Sequence, residues 1–321
     1  MPHRAIVLAE ETWIAARTLS AWLDAGQEVA EVWVCAGSSL AKPLRQPLAF
    51  AFPDWSVRRI IRRRGLPVHR CPRLRAWPEA VARAAAVRAD SLLNILGLQI
   101  IPTDLLAHFA DRAVNVHPAL LPRYRGPCPR LAMLVDGRDD EAGGVCVHLL
   151  TDGIDEGAIV GERHVPFPID GGYAEWDARL ADAAAALVRE AVIPWLDGGL
   201  VPRPQDESLA FYRRPVAGDL DVGPATPLDH ARRLGDTLGR VGRLVCKPSR
   251  GQTRRPSYHV TGVQRVLGPP TGRPARVTWQ SVELDLADAR VRMRRRGLGD
   301  RVRTQAEAVA ALRRRQRGAP A

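Results

Sequence analysis

The chain has 321 residues, 46% of them hydrophobic and 26% charged, which is enough for one large domain and one small one, each with its own core. That balance excludes a disordered or fibrous protein, and no run of 18 apolar residues exists to form a membrane-spanning helix. The net charge of +12 is uneven: residues 211–321 hold 24 Lys/Arg against 9 Asp/Glu, a net +15, while the first 210 residues carry −3.

A basic C-terminal third is the electrostatic footprint of a phosphate-bearing partner. Only Lys42 and Lys247 are lysines, however, and an arginine bias from base composition gives the same surplus without any ligand. The five cysteines (Cys35, Cys71, Cys128, Cys146, Cys246) are scattered and never in C-x-x-C spacing. They read as reduced thiols of a cytoplasmic protein with no metal site, Cys35 and Cys146 acting as small hydrophobes inside strands.

In chain order, residues 5–8 read as a short buried strand, cut off by Glu10 and Glu11 before it can be an export signal. Residues 12–25 carry Trp13, Ala16, Leu19, Trp22 and Leu23 at helical spacing and stop at Gly26. Residues 29–36 form a second strand and 37–54 a long loop. A basic helix is expected over 55–64, a strand over 67–71 and an Ala-rich helix over 77–88. The run 90–101 has β character, and 113–117 and 145–150 are two further strands. Strands alternating with helices imply right-handed crossovers and a Rossmann-like, mostly parallel sheet with helices on both faces. A long helix over 172–193 should be stopped by Pro194, closing a first domain at residue 198. After a linker over 199–215, short β runs at 243–246, 257–260, 276–279, 282–284 and 291–293 predict a small β-rich, barrel-like domain over 216–321, with a basic helix over 303–317.

Ligands of such sheets bind beyond the carboxyl ends of the strands. No G-x-G-x-x-G follows the first strand, and Glu10-Glu11 would repel a pyrophosphate, so a nicotinamide dinucleotide is not expected. The notable residues lie at other strand ends. Asn115 and His117 are two apart on one strand and so share a face, placing an amide donor beside an imidazole. Asparagine occurs only at positions 94 and 115. Asp155, 38 residues beyond the histidine, supplies a carboxylate to orient or charge that ring.

The run Asn115-Val116-His117-Pro118-Ala119-Leu120-Leu121-Pro122-Arg123-Tyr124-Arg125-Gly126, followed by Thr151-Asp152-Gly153-Ile154-Asp155-Glu156-Gly157, resembles the folate-dependent formyltransferase family, whose pattern is N-x-H-x-S-L-L-P and later D-x-x-L-D-x-G. That family includes glycinamide ribonucleotide transformylase, methionyl-tRNA formyltransferase and the nucleotide-sugar N-formyltransferases. The departures at Ala119 and Ile154 touch no chemistry. The resemblance implies Asn115, His117 and Asp155 as the catalytic set and 10-formyltetrahydrofolate as formyl donor. It implies a pterin cradle at Leu96, Gly97, Leu98, Gln99 and Ile100, with Leu150 and Asp152 in the second folate loop. Arg123, Tyr124 and Arg125 are candidate acceptor contacts. His148 reads as a core or groove histidine, and Cys128, between two prolines, as structural.

The acceptor is expected to be the amine of a small molecule such as an amino-sugar nucleotide. Length and the basic C-terminal region fit methionyl-tRNA formyltransferase, acting on charged initiator tRNA, as the alternative. The first strand lacks that enzyme's G-T-x-x-F start, its R-W-R-G-A-A-P run appears as Arg123-Tyr124-Arg125-Gly126-Pro127-Cys128-Pro129, and Gly218-Asp219-Leu220-Asp221-Val222 matches a G-x-I-D-W element without its tryptophan. Two further alternatives are a formyltetrahydrofolate deformylase and a non-catalytic RNA-binding protein on the same scaffold. The sequence leaves the oligomeric state open.

Overall fold

The computed structural model describes residues 1–41, 52–97, 99–168, 171–216, 218–239, 244–248 and 257–316. Leu98, Arg243, the middle of the 37–54 loop and residue 317 lie outside the described residues. The first sheet contains β1 (Arg4–Ala9), β2 (Glu28–Cys35), β3 (Val68–Cys71), β4 (Ser91–Ile95), β5 (Ala113–His117), β6 (Gly144–Leu149) and β7 (Ile159–His164). Its order is β3-β2-β1-β4-β5-β6-β7. The first five strands run parallel, while β6 is antiparallel to both β5 and β7.

The period of two along each strand sorts side chains onto two faces. Ala5, Val7 and Ala9 join one apolar cluster with Ile14, Trp22, Met133 and Trp176. Ile6 and Leu8 join the other, with Trp33, Leu74, Leu92, Leu105 and Phe109. Strands buried on both faces need helices on both, and the chain supplies α1 (Trp13–Asp24), α2 (Val57–Arg64), α3 (Ala80–Ala86), α4 (Thr103–His108), α5 (Pro129–Asp136), α6 (Asp139–Ala142) and α7 (Gly172–Leu187). Local chemistry sets the helix ends. Thr12 Oγ1 accepts from Ala15 N at 3.1 Å to start α1, and Gly65, in the left-handed region, stops α2.

Three expectations need adjustment. The helix expected over 77–88 spans only Ala80–Ala86, because Trp77 precedes Pro78 and is biased out of the helical region. The β run expected to residue 101 ends at Ile95, since Leu96 turns to φ 56° and breaks the ladder. Pro194 does not stop the long helix. The chain passes through a π-helical turn at Val188–Val192 into α8 (Ile193–Leu196), and this wider turn accommodates the proline's ring and its missing N–H.

The remaining elements are α9 (Leu228–Leu234), α10 (Leu298–Gln316), and the strands β8 (Asp221–Val222), β9 (Val245–Cys246), β10 (Tyr258–Gly268), β11 (Arg276–Val277), β12 (Ser281–Asp285) and β13 (Arg290–Arg295). These strands form a second sheet, ordered β11-β12-β13-β10-β9-β8 and antiparallel except at β8/β9. Helix α10 then returns to α7. Arg314 and Arg315 reach Glu175 at 2.7 and 2.5 Å, and Ala311 and Leu312 are buried beneath them.

Candidate active site

The register of three adjacent strands builds a polar row on an otherwise apolar face. Asn94 on β4 pairs with Asn115 on β5, and Asn115 pairs with His148 on β6. All three side chains are buried, as is His117 two residues along. Buried polar groups must find partners, and these find one another. Asn94 Nδ2 donates to Asn115 Oδ1 at 3.0 Å, and Asn115 Nδ2 lies 3.1 Å from His148 Nε2. His148 Nδ1 faces the Leu149 carbonyl at 2.8 Å; a carbonyl only accepts, so Nδ1 carries the hydrogen. The chain's only two asparagines are therefore bonded to each other.

The loop after β6 folds back over this face and brings Asp155 onto the row. Its Oδ1 is 3.3 Å from Asn115 Nδ2 and 3.3 Å from His148 Nε2. Its Oδ2 is 3.5 Å from His117 Nδ1 and accepts from Gly126 N at 2.8 Å. His117 Nε2–H donates to the Tyr124 carbonyl at 3.0 Å. The sequence-predicted trio of Asn115, His117 and Asp155 is thus one cluster.

Burial sets the electrostatics. It pushes the His117 imidazole below its ordinary value, by more than Asp155 pulls it up. Burial alone would raise the Asp155 carboxyl, but His117, His148 and the Gly126 N–H outweigh it and hold it well below the usual carboxylate range. Near neutral pH the pair is a neutral imidazole beside an ionised carboxylate. The backbone here is unusual as well. Leu96, Tyr124, Cys128 and Asp155 all have positive φ without being glycine, and such strain gathers where a site has to be held against local preference.

Among the other predicted residues, Gly97 packs so closely on Asn94 that a Cβ would overlap Asn94 Oδ1. That oxygen is buried and has no hydrogen-bond partner among the described residues. A glycine cradle next to an orphaned acceptor fits a flat ligand that carries N–H groups. Gln99 is tied to Leu74 N at 3.3 Å and to the Ala36 carbonyl at 3.4 Å, while Ile100 is half exposed. Asp152 accepts from Thr103 Oγ1 at 2.8 Å, joining the second loop to the start of α4, and Leu150 packs on the apolar cluster beneath. Tyr124 and Arg125 are buried. The Tyr124 hydroxyl donates to Asp136 at 3.1 Å, and the Arg125 guanidinium is committed to Gln205 and Glu207. Arg123 is partly exposed, with Glu141 4.0 Å away. Among the described residues no three His, Cys, Asp or Glu side chains form a metal-binding group.

Sequence reading missed Asn94 and Gln205. Asparagine scarcity pointed at Asn94, but its strand looked like plain core. Gln205 lies in a proline-rich stretch with no pattern to mark it.

A family model described as formyl transferase matches residues 6–192. A methionyl-tRNA formyltransferase from Trichlorobacter lovleyi is 33% identical over 156 residues, 49% of this chain and 48% of that protein. The chain spans about half the length of the curated relatives it matches. Among solved structures, the sugar 3N-formyl transferase WlaRD, determined with dTDP and 5-N-formyl-THF, superposes over 92% of this chain and 98% of its own, with TM-score 0.57 and 12% identity. An N-formyltransferase from Helicobacter canadensis, in complex with folinic acid and dTDP-3-aminofucose, does so over 92% and 99%, with TM-score 0.56 and 13% identity. At those identities the likeness is one of fold. The family model covers more than half of the sequence and contains the whole cluster just described, and the chain belongs to the formyl transferase family.

Proposed function

We propose that this protein moves a formyl group from 10-formyltetrahydrofolate to an amine, with Asn115, His117 and Asp155 as its catalytic residues. One observation carries the reading: a hydrogen-bond donor and a neutral base each lie within 3.5 Å of the same carboxylate, beside a glycine cradle with an unpartnered acceptor. The bound donor supplies the formyl carbon. His148 Nε2 and Asp155 Oδ1 sit on the same side of Asn115 Nδ2, 3.3 Å apart, so a single N–H spans both. The second N–H of Asn115 is left to donate to the formyl oxygen as negative charge develops there. Because burial keeps His117 neutral, Nδ1 accepts the proton that the attacking amine sheds. Asp155, 3.5 Å away, then stabilises the imidazolium, which returns the proton to the folate nitrogen as the bond from that nitrogen to the formyl carbon breaks and tetrahydrofolate leaves. Acyl transfer to an amine needs no nucleophilic side chain, and Cys128 is left to its structural place at the head of α5.

The proposed acceptor is a small amine such as an amino-sugar nucleotide. Supporting it are the absence of the tRNA enzyme's G-T-x-x-F start after β1 and the altered Arg123–Pro129 loop. The second reading, methionyl-tRNA, is favoured by the 33% identity to the tRNA enzymes and the +15 carried by residues 211–321. In this reading residues 1–198 are catalytic, 199–215 form a connecting segment and 216–321 are the domain that assists acceptor binding, in the cytoplasm. The test is to incubate protein and 10-formyltetrahydrofolate with dTDP-linked amino sugars or with charged initiator tRNA, following tetrahydrofolate release and formylated product. Formylated sugar is the expected result. Formylated tRNA alone overturns the acceptor, release without any acceptor identifies a deformylase, and no reaction in any arm refutes the proposal.

A further inference from the structure

The carboxylate at the centre of the site hangs from a backbone that most L-residues avoid. Asp155 has φ 54°, a left-handed conformation that persists only where the surroundings over-determine it. Much of that restraint comes from a residue 50 positions away. Gln205 Nε2 donates to the carbonyls of both Asp155 and Gly157, each at 2.8 Å, spanning the turn. Gln205 Oε1 accepts from Arg125 Nε at 3.2 Å and Nη2 at 2.8 Å. The orientation of this amide is unambiguous, because carbonyls only accept and a guanidinium only donates. Both of its N–H groups and both oxygen lone pairs are in use.

Arg125 in turn fixes the loop that grips the carboxylate from the other side. It is buried, it also binds Glu207 at 2.6 Å, and its backbone pairs with the Phe211 carbonyl and Arg213 N at 2.9 and 3.1 Å. The next residue, Gly126, has φ 102° and donates its N–H to Asp155 Oδ2. Tyr212 packs against it so tightly that a Cβ would meet the ring at 2.6 Å. One amide thus joins the backbone that carries Asp155 to the backbone that holds its oxygen.

We infer that Gln205 is a positioning residue for the transfer reaction, acting through Asp155 and coupling the 199–215 segment to the catalytic carboxylate. The inference rests on the proposed role of Asp155 in formyl transfer. It is tested with Gln205→Ala, Gln205→Glu, Asp155→Asn and the Gln205→Ala/Asp155→Asn pair. Gln205→Ala should lower kcat by about 10- to 100-fold, the scale for a catalytic group displaced by about an ångström, with KM for the folate changed less than about twofold. Gln205→Glu should lose more, because a carboxylate would face two carbonyls. In the Asp155→Asn background, Gln205→Ala should change kcat less than about threefold, since residues acting as a unit are non-additive. If the two losses instead multiply, Gln205 is a general structural residue and the inference fails. It fails also if Gln205→Ala keeps the wild-type kcat. Amide hydrogen exchange over residues 153–158 gives a readout independent of turnover: exchange should be faster in Gln205→Ala than in the wild type, and equal rates overturn the inference. Faster exchange in the variant of a protein whose wild type transfers no formyl group would count against the proposed activity and leave the bridging role standing.

Discussion

Replacing Asn94 by Asp changes one atom at nearly constant volume and tests the logic of the polar row. In the native arrangement Asn94 Nδ2 donates to Asn115 Oδ1 at 3.0 Å, which leaves Asn115 Nδ2 facing His148, Asp155 and the reacting centre. The ionised carboxylate introduced by Asn94→Asp has no hydrogen to give, and its oxygen would face Asn115 Oδ1 across the same gap. The Asn115 amide relieves that repulsion by turning over, and it then presents an oxygen where an N–H is required. Loss of one such donor costs about 100- to 1000-fold in kcat. Stability should fall by about 1–3 kcal/mol, the cost of leaving a buried polar group unsatisfied, because Asn94 and Asn115 are both buried. Asn94→Ala creates no opposing acceptor, so Asn115 keeps its orientation through His148 and Asp155 and the rate should fall less. Steady-state kinetics with thermal melts on both variants supply the comparison. An Asn94→Ala protein slower than Asn94→Asp, or an Asn94→Asp protein with wild-type kcat, would refute the amide-orientation argument.

His148→Leu should reduce kcat by about tenfold or more, whereas His148→Gln, which returns an acceptor near the Nε2 position, should recover part of it; equal rates in the two would show that the Asn115 contact carries nothing. Because burial lowers the folded-state pKa of His117, the unfolded chain binds the extra proton first. Stability should therefore decline as pH falls through the ordinary histidine value near 6.5 and level off below the folded value, and His117→Asn should flatten that part of a urea-midpoint profile. Asp155 acts on a lower window: its depressed pKa stabilises the fold above the ordinary carboxylate value, and that contribution disappears as pH falls toward the folded one, a decline Asp155→Asn should remove. Glu175→Ala would leave the half-buried Arg315 with Asp182 at 3.5 Å and should cost about 2 kcal/mol in chemical denaturation; a loss below about 1 kcal/mol would mean that α10 docks without this pair.

Much of the first sheet was legible because parallel strands buried on both faces announce themselves as short apolar runs, and because strand parity alone puts Asn115 and His117 on one side. Asp155 stood out as a carboxylate beyond a strand end, but its catalytic role was reached through resemblance, since nothing local says that a loop will fold back across three strands. Asn94 was hidden by its neighbours: Leu92, Leu93 and Ile95 make it look like a blemish in a core strand, and only the register with Asn115 reveals its partner. Strand β7 was invisible for the opposite reason, as Ile159–His164 buries only its first two residues and ends in exposed polar ones. Pro194 misled because a helix breaker was read without the π-helical turn that absorbs it. Gln205 could not have been found from composition, since its meaning lies wholly in which carbonyls it meets.

The return of α10 to α7 changes what kind of machine the protein can be. A lobe joined to its neighbour by one strap is free to swing, and such enzymes can open for a ligand and shut over it. Here, among the described residues, the ties include the Gln205–Arg213 stretch beside Asp155, Arg233 packed on Gly137, and Arg314 and Arg315 on Glu175. A body pinned at two or more separated points retains at most rotation about a single line.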